Sequence, residues 1–186
     1  MTLKELKLKV LALIEELNPD SETLTDDPDI SAKLNYVINQ VLYELARLKK
    51  IPKYVELEVN AGDMIKFADI EKKCGNEVFQ VNLFSGVSNT PKASGTLYKI
   101  LESGTAEIDV SVYPEKITDK TKDNHELELS ADALEIAPYG IAADLLKSDV
   151  SADYGKYYTE RYESMKQMLD PRYQMTSIYI EGGVNI

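Results

Sequence analysis

The spacing of apolar residues changes twice along this chain of 186 residues. Up to Lys50 they recur every three or four positions, from Tyr54 to Leu129 they mostly alternate, and from Ala131 to Leu169 the helical spacing returns. The first spacing is typical of amphipathic helices, and the alternation is typical of strands with one buried face. The sequence therefore predicts an α+β fold: a helical bundle of about four helices interrupted by a small antiparallel β sandwich or barrel.

These changes of period divide the chain into four parts. We expect a helical hairpin over residues 1–53, an inserted β module over 54–129, a second helical hairpin completing the bundle over 130–171, and an extended, strand-like tail over 172–186. A chain of this length with 44% hydrophobic residues can bury one sizeable core, with or without a satellite. An enzyme with several separate lobes is therefore not expected.

Helix boundaries are predicted from capping residues. Thr2 and Glu5 form a capping box, and the first helix should end near residue 18. Asp27, followed by a proline, marks the start of a second helix whose apolar stripe continues to residue 48. Ser130 is a candidate cap for the third helix, which Pro138 should kink or divide.

The fourth helix, over about 152–169, carries a stripe of aromatic and sulfur-containing side chains. We expect this stripe to be a core face, with a binding surface as the alternative. Its members are Tyr154, Tyr157, Tyr158, Tyr162, Met165 and Met168.

Short alternating segments separated by Gly, Asn and Ser turns predict an antiparallel sheet, because helical crossovers for a parallel sheet are lacking in the sequence. The strand candidates are residues 54–59, 64–67, 77–84, 96–101 and 106–113, with a short last strand over 126–129. Residues 72–76, around Cys74, are expected to form a turn between strands.

Two segments are candidates for contacts with other proteins. Residues 85–95, which include Ser85, Asn89 and Pro91, form the most loop-like run, and a loop this long is functional or mobile unless it is a solvated hairpin tip. The tail carries Ile178, Tyr179 and Ile180 in a segment with β propensity. An apolar strand at a terminus can pair with a sheet edge of its own chain or of a neighbour.

Catalytic and metal-binding motifs are missing from the sequence. The single cysteine, Cys74, excludes an internal disulfide and a cysteine-based zinc cluster, and the single histidine, His125, stands in a charged segment. No glycine-rich phosphate-binding pattern occurs, and the acids at 26, 27 and 29 are better explained as helix caps than as a calcium loop. We therefore predict no catalytic residues, no cofactor and no metal.

The formal net charge of −11 disfavours binding to nucleic acid, whose phosphates are held by lysine and arginine. The first nine residues alternate charge with leucine and lack the apolar core of a signal peptide, and no run reaches the length of a membrane span. We expect a soluble, intracellular protein that does not contact a membrane.

The return to helix, over residues 129–149, and the tyrosine-rich helix that follows resemble the head-to-tail connector, or adaptor, proteins of tailed bacteriophages and prophages. In that family a helical bundle is likewise interrupted by a β module. The resemblance covers nearly the whole chain as architecture and about forty residues as sequence.

The resemblance implies a non-enzymatic virion protein of the neck, present in the bacterial cytoplasm before assembly. Such a protein would form a cyclic homo-oligomer, contact the portal protein and a neighbouring neck or tail protein, and let DNA pass without specific binding. The alternative is a carbohydrate- or peptide-binding module carried by the β insertion, which predicts exposed aromatic side chains clustered near Tyr98 and Tyr113. A hydrolase would need two carboxylates converging in one cleft.

Overall fold

The computed structural model describes residues 1–22, 24–92, 97–148 and 152–169 and contains helices together with antiparallel sheets, which confirms the α+β class. The helices are α1 (Leu3–Leu13), α2 (Pro28–Leu48), α3 (Phe67–Cys74), α4 (Ala131–Leu145) and α5 (Ala152–Leu169). The strands are β1 (Ile51–Val59), β2 (Met64–Lys66), β3 (Val78–Ser85), β4 (Asn89–Lys92), β5 (Leu97–Ile100) and β6 (Gly104–Val112). A 3-10 turn, Leu146–Ser148, follows α4.

The strands form two antiparallel sheets of three strands each, in the orders β1-β6-β3 and β2-β5-β4. In the described residues neither sheet closes on itself, so the barrel alternative is wrong. The central strand β6 buries Ala106, Ile108, Val110 and Val112 on one face, as its alternation predicts. Its neighbour β1 pairs with it from Ile51 to Val59, without a register shift.

Helices from both sides of the β region contact one another. Helix α4 packs against α1, α2 and α5, and it is buried along most of its length. The buried apolar side chains of helices and strands belong to one contiguous cluster that extends along the sequence from Leu3 to Leu169. Within the described residues, no helix has the length and apolar character needed to cross a membrane.

Polar and aromatic contacts join α2 to the segment that follows β6. The rings of Tyr43 and Tyr113 stack with their centroids 4.5 Å apart, and Arg47 Nε donates a hydrogen bond to Tyr113 Oη at 2.7 Å. Asn39 holds both backbone polar atoms of Ile117. The sheet containing β6 is therefore tied to α2 by specific bonds as well as by apolar packing.

Helix α1 ends earlier than residue 18. The amide of Glu15 donates to Ala12 O and that of Glu16 donates to Leu11 O, a pair of bonds that closes a helix in a Schellman motif. Glu15 adopts the left-handed conformation that this motif requires, at φ 62°. Glycine usually occupies that position, so the sequence carried no visible stop signal there.

The predicted turn around Cys74 is wrong, because Cys74 is the last residue of α3. That helix has Asp69 in its first turn, lysines in its last turn and Gly75 in the left-handed conformation at its end, all ordinary helix signals. Ile70 is its fully buried residue. Eight residues are too few for the apolar period to be recognised against the flanking alternation.

Helix α4 continues without interruption through Pro138, so the expected division there is wrong, while the expected kink stays a prediction. Pro138 is buried in a helix that packs against α1, α2 and α5. That packing offsets the cost of the hydrogen bond that proline cannot make. Residues 126–129 are not a strand: Glu126 forms one isolated bridge, with Thr2. The strand β1 also begins three residues before the predicted boundary at 54.

Candidate interaction surfaces

Most of the predicted long loop, 85–95, is strand where the structure describes it. Ser85 is the last residue of β3, whereas Asn89 and Pro91 belong to β4 and pair with Ile100 and Tyr98 of β5. Because β4 is an edge strand of its sheet, a proline is tolerated there. Over residues 85–92, the predicted loop is therefore a strand end, a crossing and an edge strand.

The crossing from β3 to β4 takes the chain from one sheet to the other. Gly86 has φ 82°, and a side-chain carbon there would collide with the carbonyl oxygen of Thr105. Ser85 Oγ lies 3.3 Å from Glu107 Oε2, and Asn89 Nδ2 donates to Val87 O at 3.3 Å. The polar side chains of this segment thus stabilise the crossing itself. The outer edge of β4 is the part of the segment that stays a predicted interaction surface.

The predicted contact residues of the tail, Ile178, Tyr179 and Ile180, lie outside the described residues. Their role therefore stays a prediction.

The aromatic stripe of α5 is a core face on one side only. Tyr162 is 5% exposed, and Tyr158 is half-buried, with its hydroxyl donating to Leu13 O at 2.6 Å. Tyr154 and Tyr157 are 65% and 53% exposed. The core interpretation is confirmed for the first pair, and it is wrong for the second pair, which faces solvent.

Tyr162 joins three helices. Its ring lies against Gly140 of α4, and its hydroxyl donates to Glu44 Oε2 of α2 at 3.1 Å. Burial raises the pKa of Tyr162 above its usual range, and the neighbouring carboxylate of Glu44 raises it further. Lys166 forms an ion pair with the same carboxylate at 2.6 Å.

A tyrosine and arginine surface continues along α5. The Arg161 guanidinium lies over the ring of Tyr139, 4.4 Å from its centroid, and donates a hydrogen bond to Tyr157 Oη at 3.1 Å. The rings of Tyr157 and Tyr158 meet edge to face. Arginine and tyrosine are both enriched at protein interfaces.

A cleft of about 530 Å³ opens beside this surface, where the ends of four helical segments meet. The end of α1, the first turns of α2, the end of α4 and the first turns of α5 contribute to it. Its apolar lining is Leu13, Ile14, Ile30, Leu145 and Leu146, its aromatic lining is Tyr154 and Tyr158, and its charged lining is Glu15, Glu16, Asp27, Asp29 and Lys33. We call it the helix-end cleft.

The acids of the helix-end cleft have different local roles. Asp27 caps α2, since its Oδ1 accepts from the amides of Asp29 and Ile30 at 2.8 and 3.1 Å. That confirms the cap interpretation of Asp27. The carboxylates of Glu16 and Asp29 extend from an exposed turn and an exposed helix end. Nothing in the sequence pattern indicated the cleft, because its residues come from four distant segments.

The exposed aromatic cluster expected of a glycan-binding module is not formed at Tyr98 and Tyr113. Tyr113 is 6% exposed, stacked on Tyr43 and packed against Phe79. Tyr98 is half-buried and stacked on Phe84, with their centroids 4.8 Å apart. Both rings stabilise the β region.

His125 and Cys74, the remaining candidates for chemistry, lie outside the helix-end cleft, whose lining brings together the carboxylates that a hydrolase would need. His125 Nδ1 lies 4.0 Å from Glu115 Oε2, and Cys74 Sγ is half-buried beside the carbonyl oxygen of Asn76. Over the described residues, no three His, Cys, Asp or Glu side chains come together in a group that could hold a metal ion.

Comparison with models of known protein families gives no match, and comparison with curated proteins gives none either.

Proposed function

We propose that this chain is a non-enzymatic structural protein of a tailed-phage particle: a head-tail connector that forms a ring between portal and tail. In this proposal α1, α2, α4 and α5 form the bundle of the ring subunit, and the two sheets form a sandwich-like module that extends from it. The protein would be in the bacterial cytoplasm before assembly and in the virion neck afterwards.

The observation that carries the proposal is the contact between helices that precede and follow the β region. Glu44 of α2 accepts a hydrogen bond from Tyr162 of α5, and α4 lies between α1, α2 and α5. A chain that leaves a set of helices, builds sheets and then returns to the same helices has the layout of the connector family that its sequence resembles.

Exposed aromatic and apolar side chains on the helices support assembly. Tyr36 of α2 and Met168 of α5 are 72% and 73% exposed, and Tyr154 and Tyr157 add to the same helical part of the molecule. Tyrosine and methionine are enriched where protein surfaces associate. A ring of identical subunits would bury such side chains in head-to-tail contacts.

The net charge supports a ring through which DNA passes without being bound. The net charge of −11 repels the phosphates of DNA, and a wall without a basic excess lets a duplex slide. We expect no DNA binding by the free subunit at physiological salt.

Sedimentation velocity at several concentrations, alone and with the portal protein from the same genome, tests the proposal. We expect a ring-sized species, formed by the subunit itself or on the portal. A subunit that stays monomeric at every concentration and does not co-sediment with the portal contradicts it.

Tail variants refine the same experiment. Replacing Ile178, Tyr179 and Ile180 with serine should weaken assembly, whereas replacing Val184 and Ile186 with serine should not. Equal behaviour of the two variants would remove the predicted role of the first three residues without affecting the ring proposal.

A carbohydrate- or peptide-binding module stays the alternative prediction. No observation favours it over the connector, since Tyr98 and Tyr113 are packed within the molecule. Binding of this protein to a glycan on an array would support that alternative.

A further inference from the structure

We propose that the helix-end cleft is a docking site for a basic side chain of a partner protein, an arginine carried beside an aliphatic residue. This inference does not depend on the connector function. It combines the shape of the cleft, its charge and the aromatic rings at its mouth.

The floor of the cleft is apolar and open to solvent. Ile14 and Leu145 belong to the core cluster and retain some exposure, and Leu13, Ile30 and Leu146 pack against that cluster while remaining only partly buried. A volume of about 530 Å³ is in the range of small-ligand sites, roughly 300–1,000 Å³. The floor can therefore take the aliphatic stem of a long side chain together with a neighbouring apolar group.

Among the residues that the structure describes, the charged lining of the cleft has four carboxylates and one amine. The carboxylates are those of Glu15, Glu16, Asp27 and Asp29, and the amine is that of Lys33. The start of α2 contributes a partial positive charge, but the capping carboxylate of Asp27 already offsets it. An anion would be repelled here, and a cation with its stem on the floor would be attracted.

Tyrosine rings favour a guanidinium over an ammonium ion. Tyr154 is 65% exposed at the mouth, and Tyr158 lines the wall. A guanidinium is planar and weakly hydrated, so it stacks on aromatic faces and bonds carboxylates at the same time. Arg161 already adopts this arrangement in the same molecule, over Tyr139 and bonded to Tyr157.

The apolar floor of the cleft indicates which kind of molecule carries the cation. A free polyamine would satisfy the carboxylates but leave the apolar lining uncovered, whereas a protein segment with an arginine between aliphatic residues covers both. The occupant is therefore a partner segment rather than a free cation.

Methyl-resolved NMR of the full chain, labelled at Ile and Leu methyl groups, tests the site directly. The probes are acetyl-Leu-Arg-Leu-amide, its glutamine counterpart acetyl-Leu-Gln-Leu-amide, and spermidine. We expect the arginine peptide to shift the methyl signals of Ile14, Ile30 and Leu145 saturably, and to do so less at high salt. The glutamine peptide and spermidine should bind at least roughly threefold more weakly, since each lacks one of the two contributions.

Matched variants locate the effect. E16Q/D29N should weaken binding of the arginine peptide roughly three- to tenfold, because two exposed charge pairs are lost. The control E126Q/E160Q removes the same net charge at exposed positions away from the cleft and should leave the affinity unchanged. Y154A should weaken binding roughly two- to fivefold, with Y36A as its control.

Circular dichroism checks that each variant is folded, and Y154A tests the site independently should the acid variant be unstable. The proposal is overturned if the arginine peptide does not shift these methyl signals, or if the glutamine peptide binds as well. It is also overturned if E126Q/E160Q weakens binding as much as E16Q/D29N, which would indicate general attraction to an acidic protein. Equal binding of spermidine would overturn the partner assignment in favour of a free cation.

Discussion

The ring of Tyr162 occupies the space that a side chain at Gly140 would need. A carbon placed on Gly140 would lie 2.8 Å from Cε2 of that ring, closer than real side-chain carbons approach. The ring is almost fully buried and its hydroxyl is bonded to Glu44, so it has little freedom to move. Glycine at 140 thus sets the distance between α4 and α5.

Substituting G140A should destabilise the protein. The added methyl group must displace a buried ring, and overpacking of this kind costs about 1–3 kcal/mol. Urea unfolding measures the change, with S164A on the exposed side of α5 as the control. A loss as small as that of S164A would mean that the two helices separate without cost. Combining G140A with Y162L should cost less than the sum of the two single changes.

Asn39 should be essential to the stability of the segment after β6. Its Oδ1 accepts from Ile117 N and its Nδ2 donates to Ile117 O, both at 2.7 Å. N39A removes both bonds together with the one that Nδ2 donates to Asn35 O at 2.8 Å, in a partly buried place. It should cost about 2–3 kcal/mol, at about 1 kcal/mol for each bond. N124A, at an exposed position, is the control. Hydrogen exchange should show lost protection at the Ile117 amide in N39A, and unchanged protection there would contradict this role.

The sequence predicts those elements whose period extends over several turns or a full strand. The stripe of α2 and the alternation of β6 are examples, because one face is buried over most of each element, from Leu34 to Ala46 in α2 and from Ala106 to Val112 in β6. Neither helix α3 nor strand β4 was predicted, and the reasons differ. The first is too short to show a period, and the second contains Asn89 and Pro91, residue types that are common in loops.

The helix-end cleft could not be predicted from local pattern. Leu13, Ile30, Leu145 and Tyr154 become neighbours only because α4 packs against both α1 and α2 while α5 packs against α4. The acids at its rim resemble ordinary capping and turn residues in the sequence, and Asp27 is one. Their shared location depends on tertiary packing, which a single sequence does not display.

Glu15 is expected to reduce stability where it stands. At φ 62° it occupies the left-handed position of the motif that ends α1, which costs a residue with a side chain about 1–2 kcal/mol relative to glycine. E15G should therefore stabilise the protein by about 0.5–1 kcal/mol after the greater flexibility of glycine in the unfolded chain is considered. The control is E16G, where φ is not positive, and it should not stabilise. Thermal unfolding compares the two, and equal shifts would contradict the strain argument.

Asp132 should make the free energy of unfolding fall more steeply as the pH is lowered into the acid range. Hydrogen bonds from Ser130 and then from Lys49 lower the pKa of its carboxyl group to about 2, with a further contribution from the amide of Ala133. A carboxyl group with a lowered pKa in the folded state binds a proton more readily when unfolded, so its stabilisation is present above about pH 4 and lost as the pH falls toward 2. Its side chain is 50% exposed, so solvent screening limits the size of the effect. D132N should lose less stability than wild type between about pH 5 and pH 2.5, measured by urea unfolding at each pH. The control D20N removes a charge at an exposed position and should keep the wild-type dependence of stability on pH. The wild-type dependence in D132N would show that the bonds to Ser130 and Lys49 do not persist in solution.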